Sequence, residues 1–136
     1  MEAQGKPFPI PTRETETFWE GCAKGKLLFQ RCKACNRAQF YPRTFCANCG
    51  ADELEWCESA GIGTIYAVTA VYRAPTPAFK RGVPYAIALV ELSEGFRLMA
   101  NIIGAKVDDA KIGDRVTLCF ERRGDVPVPQ FRRQAP

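Results

Sequence analysis

The chain has 136 residues, 46% of them apolar and 25% charged, with a formal net charge of +4 and no histidine. This composition fits one compact globular unit or two very small ones, and it lacks the commonest general base at neutral pH. No apolar run is long enough to cross a membrane, and the first eleven residues hold no apolar signal-peptide core, so we expect a cytoplasmic protein.

The first predicted element is a short helix that follows an extended arm. Residues 1–11 contain three prolines and are expected to be extended. Thr12 is the predicted N-cap of the helix, and Gly25 is its predicted end. A narrow apolar face at helical spacing consists of Phe18, Trp19 and Cys22. So short a helix must dock on the rest of the chain or on a partner.

Two CxxC pairs follow the helix, Cys32 with Cys35 and Cys46 with Cys49. Each pair can point two thiolates at one metal, and four sulfur ligands make a tetrahedral zinc site with no open position for water. Disulfides are not expected in a reducing compartment. A rubredoxin-type iron centre uses similar ligands and stays open from the sequence. We therefore predict one structural metal ion, zinc, bound by the four cysteines.

The three other cysteines are predicted to be small buried apolar residues, because no pattern recruits them to the metal; they are Cys22, Cys57 and Cys119. Three late carboxylates, Asp108, Asp109 and Asp114, flank a turn before a strand and are interpreted as turn residues. No catalytic residue is predicted.

A zinc ribbon is predicted over residues 27–57, after the arm and helix of residues 1–26. Its strands are expected at 27–31 and 39–41, and 54–56 is expected to lead out of it. From Lys24 to Arg43 there are six cations and no acid, which favours an anionic partner or a solvated surface about equally.

Residues 58–136 have the pattern of an all-β domain. Strands are expected at 62–72, 85–92, 96–103 and 115–122, with a short last strand at 128–132, and five short strands indicate a small closed barrel, for which an OB-type barrel is one model. Alternate residues of the strand at 85–92 are apolar on both faces, so one face is expected to fill the barrel and the other to be covered.

An OB-type barrel binds ligands with the loop between its first two strands and the loop between its last two, here residues 73–84 and 123–127. The first loop carries the candidate residues Arg73, Phe79, Lys80 and Arg81, which suit a phosphorylated ligand with a base. A site for single-stranded nucleic acid is the alternative, with stacking by Tyr66, Tyr72 and Tyr85.

The order of several segments resembles the DUF35 family of zinc-ribbon, OB-fold proteins over roughly residues 12–122. These segments are FWEG, GKLLFQRCKAC, YPRTFCANCG, SAGIGTIY, PYAIALVELSEGFRLMANI and KIGDRV. The resemblance implies a mainly β fold with an N-terminal helix, a rubredoxin-like ribbon and a five-stranded OB barrel.

The resemblance also implies a function. Family members are small non-catalytic partners of thiolase-superfamily proteins: thiolases, hydroxymethylglutaryl-CoA synthases, or aldolases and hydratases of the lipid-transfer and MaoC types. The expectation for this chain is an accessory subunit that binds acyl-CoA with its OB part and assembles through its ribbon and helix. The sequence leaves both a homodimer and a hetero-oligomer open.

Overall fold

The computed structural model describes residues 9–74 and 76–134, except for the side chain of Arg81. Residues 1–8 of the predicted extended arm lie outside this part of the chain. The described elements are α1 (Glu16–Ala23), β1 (Leu28–Cys32), β2 (Ala38–Gln39), β3 (Leu54–Glu58), β4 (Ile62–Val71), β5 (Tyr85–Leu92), β6 (Arg97–Ile103), β7 (Arg115–Arg123) and β8 (Val126–Arg133). Short 3₁₀ helices lie at Pro77–Gly82 and Val107–Asp109.

Helix α1 begins one turn later than predicted, because Thr12 belongs to a preceding turn. The carbonyl of Thr12 accepts the N–H groups of Thr15 and Glu16, and the Thr15 hydroxyl accepts the N–H of Thr12 at 2.8 Å. Thr15 is therefore the residue at the N-cap, and its side chain caps no helical N–H. The predicted end at Gly25 is confirmed: its φ is +76°, and its N–H donates to the carbonyl of Cys22.

The first sheet has the strand order β2-β1-β3, with both neighbours antiparallel to β1. Strand β3 pairs with β1 along its whole length, from Leu28 opposite Glu58 to Cys32 opposite Leu54. The prediction that residues 54–56 lead out of the ribbon was therefore wrong. Strand β2 has only two residues and covers one edge of β1 incompletely, so β3 supplies most of the hydrogen bonds that hold β1 in place.

The second sheet is the predicted five-stranded closed barrel, with the order β4-β5-β6-β8-β7. Strands β6 and β8 are parallel at Ile102 and Ile103, and the other neighbours are antiparallel. The predicted second ligand loop at 123–127 does not exist, because β7 and β8 are joined by a tight turn at Gly124 and Asp125.

Strand β8 begins two residues earlier than predicted and includes two prolines. Pro127 and Pro129 pair with Arg122 and Phe120 of β7, whereas β8 pairs with β6 only further on, at Phe131 and the next residue. The prolines thus lie where β8 pairs with β7 alone, so their missing N–H groups remove no hydrogen bond to a second neighbouring strand. This one-sided pairing is what permits a strand with two prolines.

The barrel interior is filled by one face of β5, as predicted. Its residues Ala86, Ala88, Val90 and Leu92 are buried, and Tyr85, Ile87 and Leu89 on the other face are half-buried. Val116 and Phe131 complete the fully buried interior from β7 and β8.

An aromatic cluster, here called the junction cluster, joins the helix, the ribbon and the barrel. It consists of Phe18, Phe29, Phe40 and Phe96. The Phe96 ring stacks on Phe29 at 4.7 Å and on Phe40 at 5.7 Å between ring centroids, and Phe18 meets Phe40 edge-on at 5.3 Å. Ribbon and barrel therefore share one continuous apolar core. The domain boundaries proposed after residues 26 and 57 stay predictions.

Candidate metal centre and ligand surface

The four predicted metal ligands converge at one end of the first sheet. Cys32 closes β1 and Cys35 follows it in a turn, whereas Cys46 and Cys49 lie in a second turn between β2 and β3. Their Sγ atoms all lie within 4.8 Å of one another, and the pairs Cys32–Cys49 and Cys35–Cys46 are 3.6 Å apart.

These distances fit a metal tetrathiolate and not disulfides. Four sulfurs at about 2.3 Å from a zinc ion would be about 3.8 Å apart at the corners of a tetrahedron. A disulfide needs about 2.05 Å between its sulfurs. The site is thus a four-cysteine metal centre, and its four ligands leave no position for a reacting water.

Each CxxC turn is shaped by a residue with left-handed backbone after its second cysteine. Asn36 has a φ of +62°, and Gly50 has a φ of +79°. The N–H of Asn36 donates to the Cys32 carbonyl at 2.7 Å, and the N–H of Gly50 donates to the Cys46 carbonyl at 3.0 Å. Both residue types tolerate this conformation, so the local sequence itself closes the two turns.

Backbone donors also prepare Cys46 for metal binding. Its Sγ accepts N–H groups from Cys49 at 3.5 Å and Asn48 at 3.3 Å. These two hydrogen bonds lower the pKa of the Cys46 thiol, whereas hydrogen bonds with the neighbouring thiols raise the pKa of Cys49 in the same turn. A thiolate is the form that binds a metal, so the backbone donors favour the ligand state at Cys46.

The structure describes three of the four predicted ligand side chains of the loop between β4 and β5. Arg73 and Lys80 are exposed, and the side chain of Arg81 lies outside the described part of the structure. Phe79 is half-buried and faces Tyr85, with 6.2 Å between the ring centroids. The loop is therefore docked on β5 through its aromatic residue, while its two described cations face solvent.

A cation of the predicted second ligand loop, Arg123, lies beside Phe79 of the first loop. The guanidinium of Arg123 is 6.0 Å from the centre of the Phe79 ring and 3.7 Å from the carboxylate of Glu121. Glu121 also accepts a hydrogen bond from the buried Gln130, whose side chain bonds the backbone and side chain of Asn101. The alternation of β7 places Arg123 and Glu121 on one face, but only the folded chain brings that face to the loop.

A surface groove with a volume of about 640 Å³ lies on the barrel away from this loop. It is lined by residues of β4, the end of β5 and the start of β7, including Tyr66 and Arg115. The Arg97 guanidinium lies 3.7 Å from the centre of the Tyr66 ring and forms an ion pair with Glu91. One face of Tyr66 is thus occupied by an arginine of its own chain.

The three carboxylates interpreted as turn residues have different surroundings in the structure. Asp114 accepts the N–H of Lys111 at 3.0 Å and the side chain of Arg133 at 2.9 Å, which closes the turn before β7. Asp108 accepts the Tyr72 hydroxyl at 2.8 Å, and Asp109 ends the second 3₁₀ helix.

The cysteines outside the metal site are buried to different degrees. Cys22 is fully buried, and its burial raises the pKa of the thiol to about 12. Cys57 and Cys119 are only half-buried, less than predicted. None of the helices in residues 9–74 and 76–134 is long and apolar enough to span a membrane.

Family models match two adjacent parts of the chain. Residues 19–55 match the rubredoxin-like zinc ribbon domain of ChsH2, and residues 56–121 match its C-terminal OB-fold domain. Among solved structures, the Ltp2-ChsH2(DUF35) aldolase is similar with a TM-score of 0.82 and 34% identity, over 93% of this chain and 98% of that one.

Curated relatives agree with these matches. A DUF35 domain-containing scaffold protein of Methanocaldococcus jannaschii is 36% identical over 71% of this chain and 68% of its own length. A probable enoyl-CoA hydratase alpha subunit of Thermomonospora curvata is 35% identical over 96% of this chain, but the match spans only 41% of that relative. The chain therefore belongs to the DUF35 family, and it combines the zinc ribbon and the OB-fold domain of ChsH2.

Proposed function

We propose that the chain is a non-catalytic subunit that assembles with a thiolase-superfamily enzyme and binds its acyl-CoA substrate. The observation that carries the proposal is the likeness to the ChsH2(DUF35) component of an aldolase complex, which extends over 98% of that solved chain. The name of the Methanocaldococcus jannaschii relative as a scaffold protein supports the same role.

The non-catalytic role is supported by the chemistry of the described residues. The metal is surrounded by four thiolates, so it offers no Lewis-acid position, and the chain has no histidine. One relative is named as a hydratase subunit, yet this chain corresponds to less than half of it. The hydration chemistry of that relative therefore does not have to reside in the shared part.

For the acyl-CoA, we propose contacts on the loop between β4 and β5. Coenzyme A carries a 3′-phosphate, a pyrophosphate and an adenine, and Arg73 and Lys80 offer exposed charges on either side of Phe79. Arg123 adds a positive charge next to that ring. Arg81 belongs to the proposed set by its place in the sequence alone.

Assembly is tested by co-expression of the tagged chain with each thiolase-superfamily protein of its source organism, followed by size-exclusion chromatography with light scattering. We expect one stable complex of defined stoichiometry. Failure of every such pair to form a complex, with a folded and zinc-loaded chain, would remove the proposed function.

Acyl-CoA binding is tested by calorimetry with acetyl-CoA and a longer acyl-CoA, on the free chain and on the complex. We expect weak binding by the free chain, tighter binding by the complex, and a loss of at least tenfold in a variant that combines Arg73→Ala with Lys80→Ala. Arg13→Ala, which removes an exposed cation before α1 and outside the basic ribbon segment, is the control. Absence of binding in both states would refute the acyl-CoA part of the proposal while leaving assembly intact.

Single-stranded nucleic acid is the alternative ligand, and the exposure of Tyr66 and Tyr72 on the barrel favours it. Tyr85 is half-buried under Phe79, and one face of Tyr66 is taken by Arg97, which reduces the surface for stacking. A labelled oligonucleotide that shifts at low salt with micromolar protein would support this alternative, and no shift would remove it.

A further inference from the structure

We propose that residues 41–45, here called the ribbon tip, form the docking surface for a protein partner that has an apolar pocket bordered by carboxylates. The partner's identity as a thiolase-superfamily enzyme rests on the proposed function above. The location of the surface and the chemistry of its counterpart rest on the structure of the ribbon itself.

The ribbon tip presents two aromatic side chains and an arginine to solvent. Tyr41 is 56% exposed, Phe45 is 58% exposed, and the exposed Arg43 lies between them in the sequence. Single exposed apolar residues are ordinary on protein surfaces. Here two aromatic residues and an arginine lie within five residues of one another. Aromatic residues and arginine are among the residue types that contribute most to binding energy at protein interfaces.

The backbone of the tip is held by two buried glutamines of the ribbon strands. The Gln30 carboxamide donates to the Arg43 carbonyl at 3.1 Å and accepts the Arg43 N–H at 3.0 Å. Gln39 donates to Gln30 at 2.7 Å and accepts the N–H of Ala47 at 2.8 Å. Because these buried side chains are bound to a surface segment, the tip has little conformational freedom left to lose on binding.

Both ends of the tip are also fixed. Phe40, just before it, is buried in the junction cluster, and its ring meets the Tyr41 ring at 5.2 Å. Cys46, just after it, is a metal ligand. The exposed aromatic residues are thus carried on a rigid support at each side, as a preformed binding surface requires.

The charge of the tip itself indicates the chemistry of the partner. Arg43 makes no ion pair with any residue that the structure describes. Other cations of the ribbon lie beside carboxylates of β3: Lys26 is 4.0 Å from Glu58, and Arg31 is opposite Glu55 in the strand register. A second copy of this chain is disfavoured, because a two-fold contact would bring another Arg43 to the same surface. The matching surface therefore offers carboxylates to Arg43 beside an apolar pocket.

The experiment uses the complex with the thiolase-superfamily enzyme identified by co-expression, and it measures Kd by biolayer interferometry at two salt concentrations. Two variants are compared with wild type: Tyr41→Ala combined with Phe45→Ala, and Arg43→Glu. Met99→Ala removes an equally exposed apolar side chain from the barrel and is the matched control. Zinc content and melting temperature confirm that each variant is folded.

We expect both tip variants to raise Kd at least tenfold, the Arg43→Glu complex to lose most of its salt dependence, and Met99→Ala to bind as wild type does. If both folded tip variants bind the enzyme with the wild-type Kd, the assignment of the surface is overturned, while the complex itself still supports the proposed function.

The tip variants could instead weaken binding of a labelled oligonucleotide or self-association and leave the enzyme complex unchanged. That result would overturn the assignment of the partner as an enzyme. If wild type binds no such enzyme, the proposed function fails first.

Discussion

The ribbon and the barrel order β-strands by different means. The ribbon has one two-residue strand and two five-residue strands, and its interior holds the polar side chains of Gln30 and Gln39 beside four metal ligands. The barrel closes a ladder of five longer strands around apolar side chains such as Val90 and Phe131. Strand pairing and apolar burial suffice for the barrel, whereas the ribbon needs the metal.

The junction cluster complicates this contrast, because it makes the two regions depend on each other. Phe96 belongs to the barrel, yet two of its neighbours in the cluster, Phe29 and Phe40, belong to the ribbon. Ser59 and the backbone of Ala60 both donate hydrogen bonds to Glu94, which ties the linker to the hairpin between β5 and β6. Loss of the ribbon should therefore weaken the barrel without unfolding it.

The largest expected effect is that of Cys35→Ser, which removes one of four metal ligands. Metal binding contributes on the order of 10 kcal/mol in small zinc modules, so the variant should lose its zinc and unfold its ribbon. We expect zinc content to fall well below one per chain, amide protection to be lost in β1–β3, partner assembly to be impaired, and the barrel to stay folded with a lower melting temperature.

The control for this variant is Cys57→Ser, at a half-buried non-ligand position, which should keep its zinc. Full zinc occupancy or normal assembly in the Cys35→Ser variant would contradict the role given to the metal.

Phe96→Ala tests the coupling of the two regions. The change empties a buried site of the junction cluster, and we expect it to lower the free energy of unfolding by about 3–5 kcal/mol. Trp56 lies on β3 of the ribbon, whereas α1, which carries Trp19, also contacts β8 of the barrel. The fluorescence of Trp56 in urea, in a Trp19→Phe background, therefore reports the ribbon. In the variant this transition should precede loss of the β-sheet circular dichroism signal, whereas in wild type the two coincide. Coincident transitions in both proteins would show that Phe96 does not couple the regions, and Met99→Ala should change neither.

Gln30→Ala probes the polar interior of the ribbon. The change leaves the N–H and carbonyl of Arg43 without their partner and removes the acceptor of Gln39. We expect a loss of about 1–3 kcal/mol in the free energy of unfolding, with zinc retained and faster hydrogen exchange at Arg43. Gln134→Ala, an exposed glutamine at the end of the described chain, should have little effect on either quantity. Unchanged exchange at Arg43 would show that Gln30 does not hold the ribbon tip.

The smallest expected effect concerns the hydrogen bond between Tyr72, just after β4, and Asp108. The Tyr72 hydroxyl donates to Asp108, which raises the pKa of the phenol, and the charge of Asp108 adds to this. Because the folded-state pKa is raised, the stabilisation is complete below the ordinary tyrosine pKa of about 10 and is lost as pH rises through the folded value. In Asp108→Ala, carbon-13 NMR should show a lower Tyr72 pKa than in wild type. An unchanged Tyr72 titration would mean that the hydrogen bond does not persist in solution.

Much of the fold could be predicted because its signals are local. The predicted bounds of β5 coincide with those of the structure, since a largely apolar run of eight residues ends at a clear turn. The helix start was predicted three residues too early, because Thr12 and Thr15 are both good capping residues and the hydrogen bonds of the turn between them set the start. Strand β8 was predicted too short, because the pairing of its first two residues with β7 depends on how the strands close.

By itself, the sequence determined the metal ligands, the order of ribbon and barrel, and the family. The spacing within a CxxC pair and the alternation along a strand are patterns of a few neighbouring residues. The metal ligands and the strands can therefore be predicted from the sequence alone. Only the tertiary structure decided that β3 completes the ribbon, that Arg123 lies beside Phe79, that two glutamines hold the ribbon tip, and that Phe29 stacks on Phe96. Each of these contacts joins residues distant in the chain, and their pairing depends on how the strands close and pack.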